Sequence, residues 1–72
     1  MIKIEQLLPL LKKGWLAMDA NGLWHWHAEE PVYDLEMKEW VSNIDIAACL
    51  NDRLDIEPAK DWTKSLMRCG DE

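Results

Sequence analysis

The residues best suited to chemistry are His25 and His27, two apart in Leu23-Trp24-His25-Trp26-His27. On an extended chain such residues project to the same face, and neutral imidazoles are common ligands for Zn or Cu. A metal centre needs a third and usually a fourth ligand, with groups behind them. Glu29 continues the same parity, but Glu29-Glu30-Pro31 ends the strand, and neither Cys49 nor Cys69 lies near in sequence. The plainer expectation is two half-exposed imidazoles on the solvent face of a hairpin, with weak His-X-His metal binding as the alternative. Nucleophilic catalysis needs Ser or Cys beside a base that a third group orients. Ser42, Ser65, Cys49 and Cys69 are present, none in a recognisable local signature. The glycines at 14, 22 and 70 are isolated, so nothing resembles a phosphate-cradling loop. The pieces of a catalytic site are missing, and the expectation is a non-enzyme without a cofactor.

Binding residues are easier to nominate. Glu29, Glu30, Asp34, Glu36 and Glu39 are dense within one short stretch. On one face they make a negative patch able to occupy a basic nucleic-acid channel on another protein; otherwise they are a solvated surface. The chain has five Trp, one Tyr and no Phe, and a small domain short of bulk uses Trp to build a core. Trp24 and Trp26 read as core beside Leu16 and Met18. Trp15, Tyr33 and Trp40 are harder to place, and exposed they suit a protein interface, where such rings concentrate binding energy. The candidate surface is therefore Trp15, Tyr33 and Trp40 with the five acids.

These residues must be positioned by very little protein. Seventy-two residues make a single domain, 1–72, with net charge −6. A chain this short buries only about 60% of its unfolded surface, so homodimerisation is a structural alternative. The acidic balance argues against direct nucleic-acid binding, which needs a basic stripe. No apolar run is long enough for a membrane span. Met1-Ile2-Lys3-Ile4-Glu5 lacks the pattern of a signal peptide, so a cytoplasmic location is expected, with both cysteines reduced.

Ile4, Leu7, Leu8 and Leu11 share one helical face, and Lys12, Lys13 and Gly14 make a stop signal. Pro9 conflicts with a helix interior, so the helix kinks there or starts late. Asn21-Gly22 between two apolar runs predicts a hairpin over 15–27. Of two registers, only a type I turn with Gly22 as the bulge residue puts Leu16, Met18, Trp24 and Trp26 on one face. Trp15, Ala17, His25 and His27 then take the other. Residues 32–56 read ambiguously, with a third strand at 40–46 or 44–50. Near the C-terminus, Pro58 opens or Asp61 caps a helix whose face is Trp62, Leu66 and Cys69, with Arg68 and Gly70 as its stop. The fold class is α+β: a small antiparallel sheet of two to three strands, an N-terminal helix and a short C-terminal helix. The helices cover the Leu16/Met18/Trp24/Trp26 face.

The run Gly14-Trp15-Leu16-Ala17-Met18-Asp19-Ala20-Asn21-Gly22-Leu23-Trp24, then Pro31, Trp40 and Asp61-Trp62-Thr63-Lys64-Ser65-Leu66, resembles small orphan proteins encoded in tailed phages and prophages. The shared pattern is a Trp/Met-Asp-x-x-Gly-x-Trp hairpin and a closing Asp-Trp-x-x-Ser-Leu. The resemblance implies a phage or mobile-element accessory protein and carries over no functional residue. The expected function is non-catalytic binding of another protein. The alternative is an acidic inhibitor of a host defence or nucleic-acid-binding protein.

Overall fold

The computed structural model of the chain describes residues 1–43 and 47–70. Strands β1 (Gly14–Met18) and β2 (Trp24–His27) form the expected hairpin. Leu16 lies opposite Trp26 and Met18 opposite Trp24, which is the register the apolar alternation selects. The turn has the bulged geometry. Gly22 has φ +89°, its N–H donates to the Asp19 carbonyl at 2.9 Å, and the Asp19 N–H donates to the Leu23 carbonyl at 3.0 Å. Asn21 Oδ1 accepts from the Leu23 N–H at 3.0 Å, so both turn residues are used as their chemistry suggests.

The sheet is larger than two or three strands. β3 (Val32–Asp34) and β4 (Glu39–Val41) pair as a separate two-stranded hairpin. β5 (Ala47–Cys49) and β6 (Met67–Cys69) flank the first hairpin. The main sheet runs β5-β2-β1-β6, antiparallel throughout. Of the two spans expected for a third strand, 44–50 contains β5 of the main sheet, whereas the start of 40–46 belongs to β4 in the separate hairpin; residues 44–46 lie outside the described residues. The expected C-terminal helix is only a 3-10 turn, Trp62–Lys64, capped by Asp61, whose carboxylate accepts from the Thr63 N–H at 3.0 Å. The residues after it extend into β6, because the outer edge of β1 needs backbone partners.

The helical N-terminus takes the form of two 3-10 turns, Ile4–Gln6 and Leu8–Leu10. Pro9 has no N–H and sits in the first turn of the second piece, so one continuous α-helix is not built. Gly14 does not stop a helix. It opens β1, and a Cβ there would lie 2.7 Å from both the His27 carbonyl and the Trp26 ring.

The N-terminal turns cover the expected face. Leu16, Met18 and Trp24 are buried with Ile4, Leu7, Ile56 and Cys69, and Trp26 and Trp62 pack against them. Trp24 is 1% exposed. Its indole N–H donates to the Glu57 carbonyl at 3.2 Å, and its backbone N–H donates to Asn51 Oδ1 at 2.7 Å. Removing one Trp side chain from water contributes about 4–6 kcal/mol gross, a large share for a chain this short. No helix among the described residues is long and apolar enough to cross a membrane.

Candidate functional site

The second face of the β1–β2 hairpin is not a solvent face. Ala17 is fully buried and His27 is 3% exposed. β4 packs against β1, and Pro31 and Trp40 are buried, so the β3–β4 hairpin and the connection to it close this side. The expectation of two half-exposed histidines is corrected for His27. His27 shares its face with the fully buried Ala17, and that face lies inside the fold. Neither ring nitrogen of His27 has a hydrogen-bond partner among the described residues. Burial pushes its imidazole below the ordinary value and His25 pushes the same way, while Asp19 opposes them. His25 is half-buried, with Nδ1 3.4 Å from Asp19 Oδ2. The two imidazole centroids are 6.4 Å apart. Cys49 stands directly across from His25 on β5, a proximity that sequence spacing hides. Among the described residues no three His, Cys, Asp or Glu side chains are grouped to hold a metal ion.

Asp19 joins the two hairpins. Its Oδ1 accepts from the Trp40 N–H at 2.8 Å, and the adjacent Ala20 N–H donates to the Lys38 carbonyl at 3.1 Å. Trp40 is consequently 7% exposed, with its indole N–H donating to the Trp62 carbonyl at 3.0 Å. As a candidate surface residue it is a correction: the ring is core. Trp15 is half-buried, with the Arg68 guanidinium 5.3 Å above its ring centre. Tyr33 packs edge-on against Trp40 at 5.4 Å and Trp62 at 6.0 Å, yet keeps 47% of its surface exposed. Of the three aromatic candidates, only Tyr33 offers much surface.

The acids are spread along the β3–β4 hairpin and the residues that lead into it. Asp34 and Glu39 face each other across β3–β4, Glu36 lies in the loop between them, and Glu29 and Glu30 precede β3; Glu29, Glu30 and Glu36 are exposed. Asp34 also has an architectural role, since its Oδ1 accepts from the Glu36 N–H at 2.9 Å and the Met37 N–H at 3.2 Å. That Asx turn offsets the repulsion of like charges placed opposite one another. Lys38 closes the loop at φ 57°.

Between these acids lies apolar surface that the sequence reading did not nominate. Val32 is 65%, Leu35 66% and Met37 63% exposed, and Val41 is more than a third exposed. Val32 lies opposite Val41, on the hairpin face away from Tyr33 and Trp40. The only available signal was the alternation of Tyr33, Leu35 and Met37, which does not say which parity faces water. A groove of about 400 Å³ separates the two turns, lined by Asp19, Ala20, Asn21, Met37, Lys38 and Glu39.

The two sequence patterns of the phage-like resemblance meet in space. The Ser65 hydroxyl accepts from the Met18 N–H at 2.8 Å and donates to the Trp62 carbonyl at 2.7 Å. Asp61 caps the turn that carries Trp62. These residues hold the fold together, so the patterns have an architectural explanation. No protein-family model, no curated protein and no solved structure matches the chain.

Proposed function

We propose that the chain is a non-catalytic protein-binding module, an accessory protein of the kind found in phages and prophages, that engages another protein through residues 32–41. One observation carries this reading: Val32, Tyr33, Leu35, Met37 and Val41 are all exposed within one short hairpin. A small protein gains nothing for its own stability by placing that much apolar side chain in water, and exposed apolar side chains flanked by charge are the usual makings of an interaction site. The acidic rim gives the surface a sign. It favours a partner with basic residues around an apolar centre and speeds their encounter.

The test is a quantitative pull-down from source-cell lysate with wild type, Leu35→Ser/Met37→Ser and Trp15→Ala, at low and high salt. A specific protein captured by wild type and Trp15→Ala but lost with the double variant supports the reading. Equal capture by the double variant, or none by wild type, overturns it. A second reading, an acidic inhibitor that occupies the nucleic-acid channel of a basic protein, draws on the five acids Glu29, Glu30, Asp34, Glu36 and Glu39 placed along the same hairpin and its approach. It predicts capture that depends steeply on salt and survives loss of Leu35 and Met37.

A further inference from the structure

We propose that the outer edge of β3 receives an extended, basic segment of another protein as a third strand of the β3–β4 sheet; this rests on the binding reading above and specifies its ligand. The two edges of this hairpin differ. The β4 edge is occupied, because the Trp40 N–H donates to Asp19 Oδ1 at 2.8 Å and the Lys38 carbonyl accepts from the Ala20 N–H at 3.1 Å. In an antiparallel ladder, opposite pairs alternate between exchanging both backbone hydrogen bonds and exchanging none. Trp40 spends its N–H on Asp19, so its pair with Tyr33 is the one that exchanges none. The N–H and C=O of Tyr33 therefore point away from β4, over the outer edge. Among the described residues no strand lies beyond β3, and neither group of Tyr33 takes part in a backbone hydrogen bond outside the strands.

Such an edge is a template for strand addition, in which main-chain bonds give affinity and alternate side chains give specificity. Exposed Val32 and Leu35 flank Tyr33 and offer apolar contact to the incoming strand. Pro31 lacks an N–H and blunts the edge before β3, so the incoming strand is short. Charge selects the occupant. Between residues 29 and 39 Lys38 is the single basic residue among Glu29, Glu30, Asp34, Glu36 and Glu39. A second copy pairing about a two-fold axis at Tyr33 sets Val32 opposite the partner's Asp34 and brings two equally acidic hairpins together, which like-charge repulsion disfavours. A segment alternating Lys or Arg with apolar residues meets both the charge and the exposed Val32 and Leu35.

The experiment titrates the whole chain with a short synthetic peptide alternating Lys and Val. Its controls are an Asp/Val peptide and a Lys/Val peptide N-methylated at alternate residues, and the readout is backbone amide hydrogen exchange. Expected are protection of the Tyr33 N–H by the Lys/Val peptide alone, affinity about tenfold lower for the N-methylated form, and weakening at raised salt. Glu30→Lys/Glu36→Lys, at two exposed positions, is expected to exchange preference towards the Asp/Val peptide. Equal binding of the N-methylated peptide, absence of Tyr33 protection, or protection in a peptide-free dimer overturns the proposal. The pull-down separates the two levels. Partner capture that depends on Leu35 and Met37 but leaves the Tyr33 N–H unprotected refutes strand addition and keeps the binding module.

Discussion

His27→Leu is expected to stabilise the protein. Among the described residues both ring nitrogens of His27 lack hydrogen-bond partners, and the residue is 3% exposed. An unsatisfied buried polar group costs about 1–3 kcal/mol, and replacing it with an apolar group of similar size removes that cost. The gain depends on pH in a defined direction. The imidazole is held below its ordinary value in the fold, chiefly by burial, so near and below about pH 6.5 the unfolded chain binds a proton that the folded chain refuses. The contribution of neutral His27 is fully present above the unfolded value and is lost as pH falls through it towards the lower folded value. Leu at this position has no such loss. The variant should therefore exceed wild type by about 1–3 kcal/mol at neutral pH, with the gap widening on acidification. For a domain of this size each 1 kcal/mol corresponds to about 4–8 °C in Tm. Urea unfolding followed by Trp fluorescence, from about pH 8 to about pH 5, measures both quantities. A variant less stable than wild type at the upper pH, or a gap that does not change with pH, refutes the reasoning.

Two further outcomes follow from close contacts. Gly14→Ala places a methyl 2.7 Å from a backbone carbonyl and the Trp26 ring; it should cost about 1–3 kcal/mol, read as a lower urea midpoint with an unchanged slope. Asp19→Ala removes the acceptor of the Trp40 N–H and should cost about 1.5–3 kcal/mol. Hydrogen exchange should then show the Trp40 amide opening more readily than amides of the β1–β2 hairpin, and uniform opening of both argues against Asp19 as the local anchor.

The first hairpin was legible because three local signals agree. Asn21-Gly22 fixes the turn, apolar alternation fixes the parity, and only one register satisfies both. The burial of Trp40 was not legible, since it goes with Asp19 binding the Trp40 N–H and Trp62 accepting from its indole, contacts far apart in sequence; nor was that of His27, which local alternation assigns to the outer face of an isolated hairpin. β3 to β6 are three residues each, too short to display a period. Trp62, Leu66 and Cys69 fit a helical spacing equally well, and the unpaired edge of β1 decides the matter for Met67–Cys69. The acidic candidates were found by composition alone. The apolar surface among them was missed because an isolated Leu35 or Met37 carries no sign of which way it faces.

The position of β6 has a consequence for how the protein is made. β1 is an interior strand, and its outer neighbour is Met67–Cys69, supplied from far downstream. A ribosome delivers β1 and β2 early, and their hairpin closes within microseconds. The Ser65 hydroxyl that binds the Met18 N–H and the strand that covers the open side of β1 emerge much later. Until then Leu16 and Met18 lie beside an unpaired strand edge, which is the form most exposed to mispairing with other nascent chains. The four-stranded sheet is therefore complete only once residues near 69 are available, and conditions that slow synthesis over the second half of the chain lengthen that vulnerable interval.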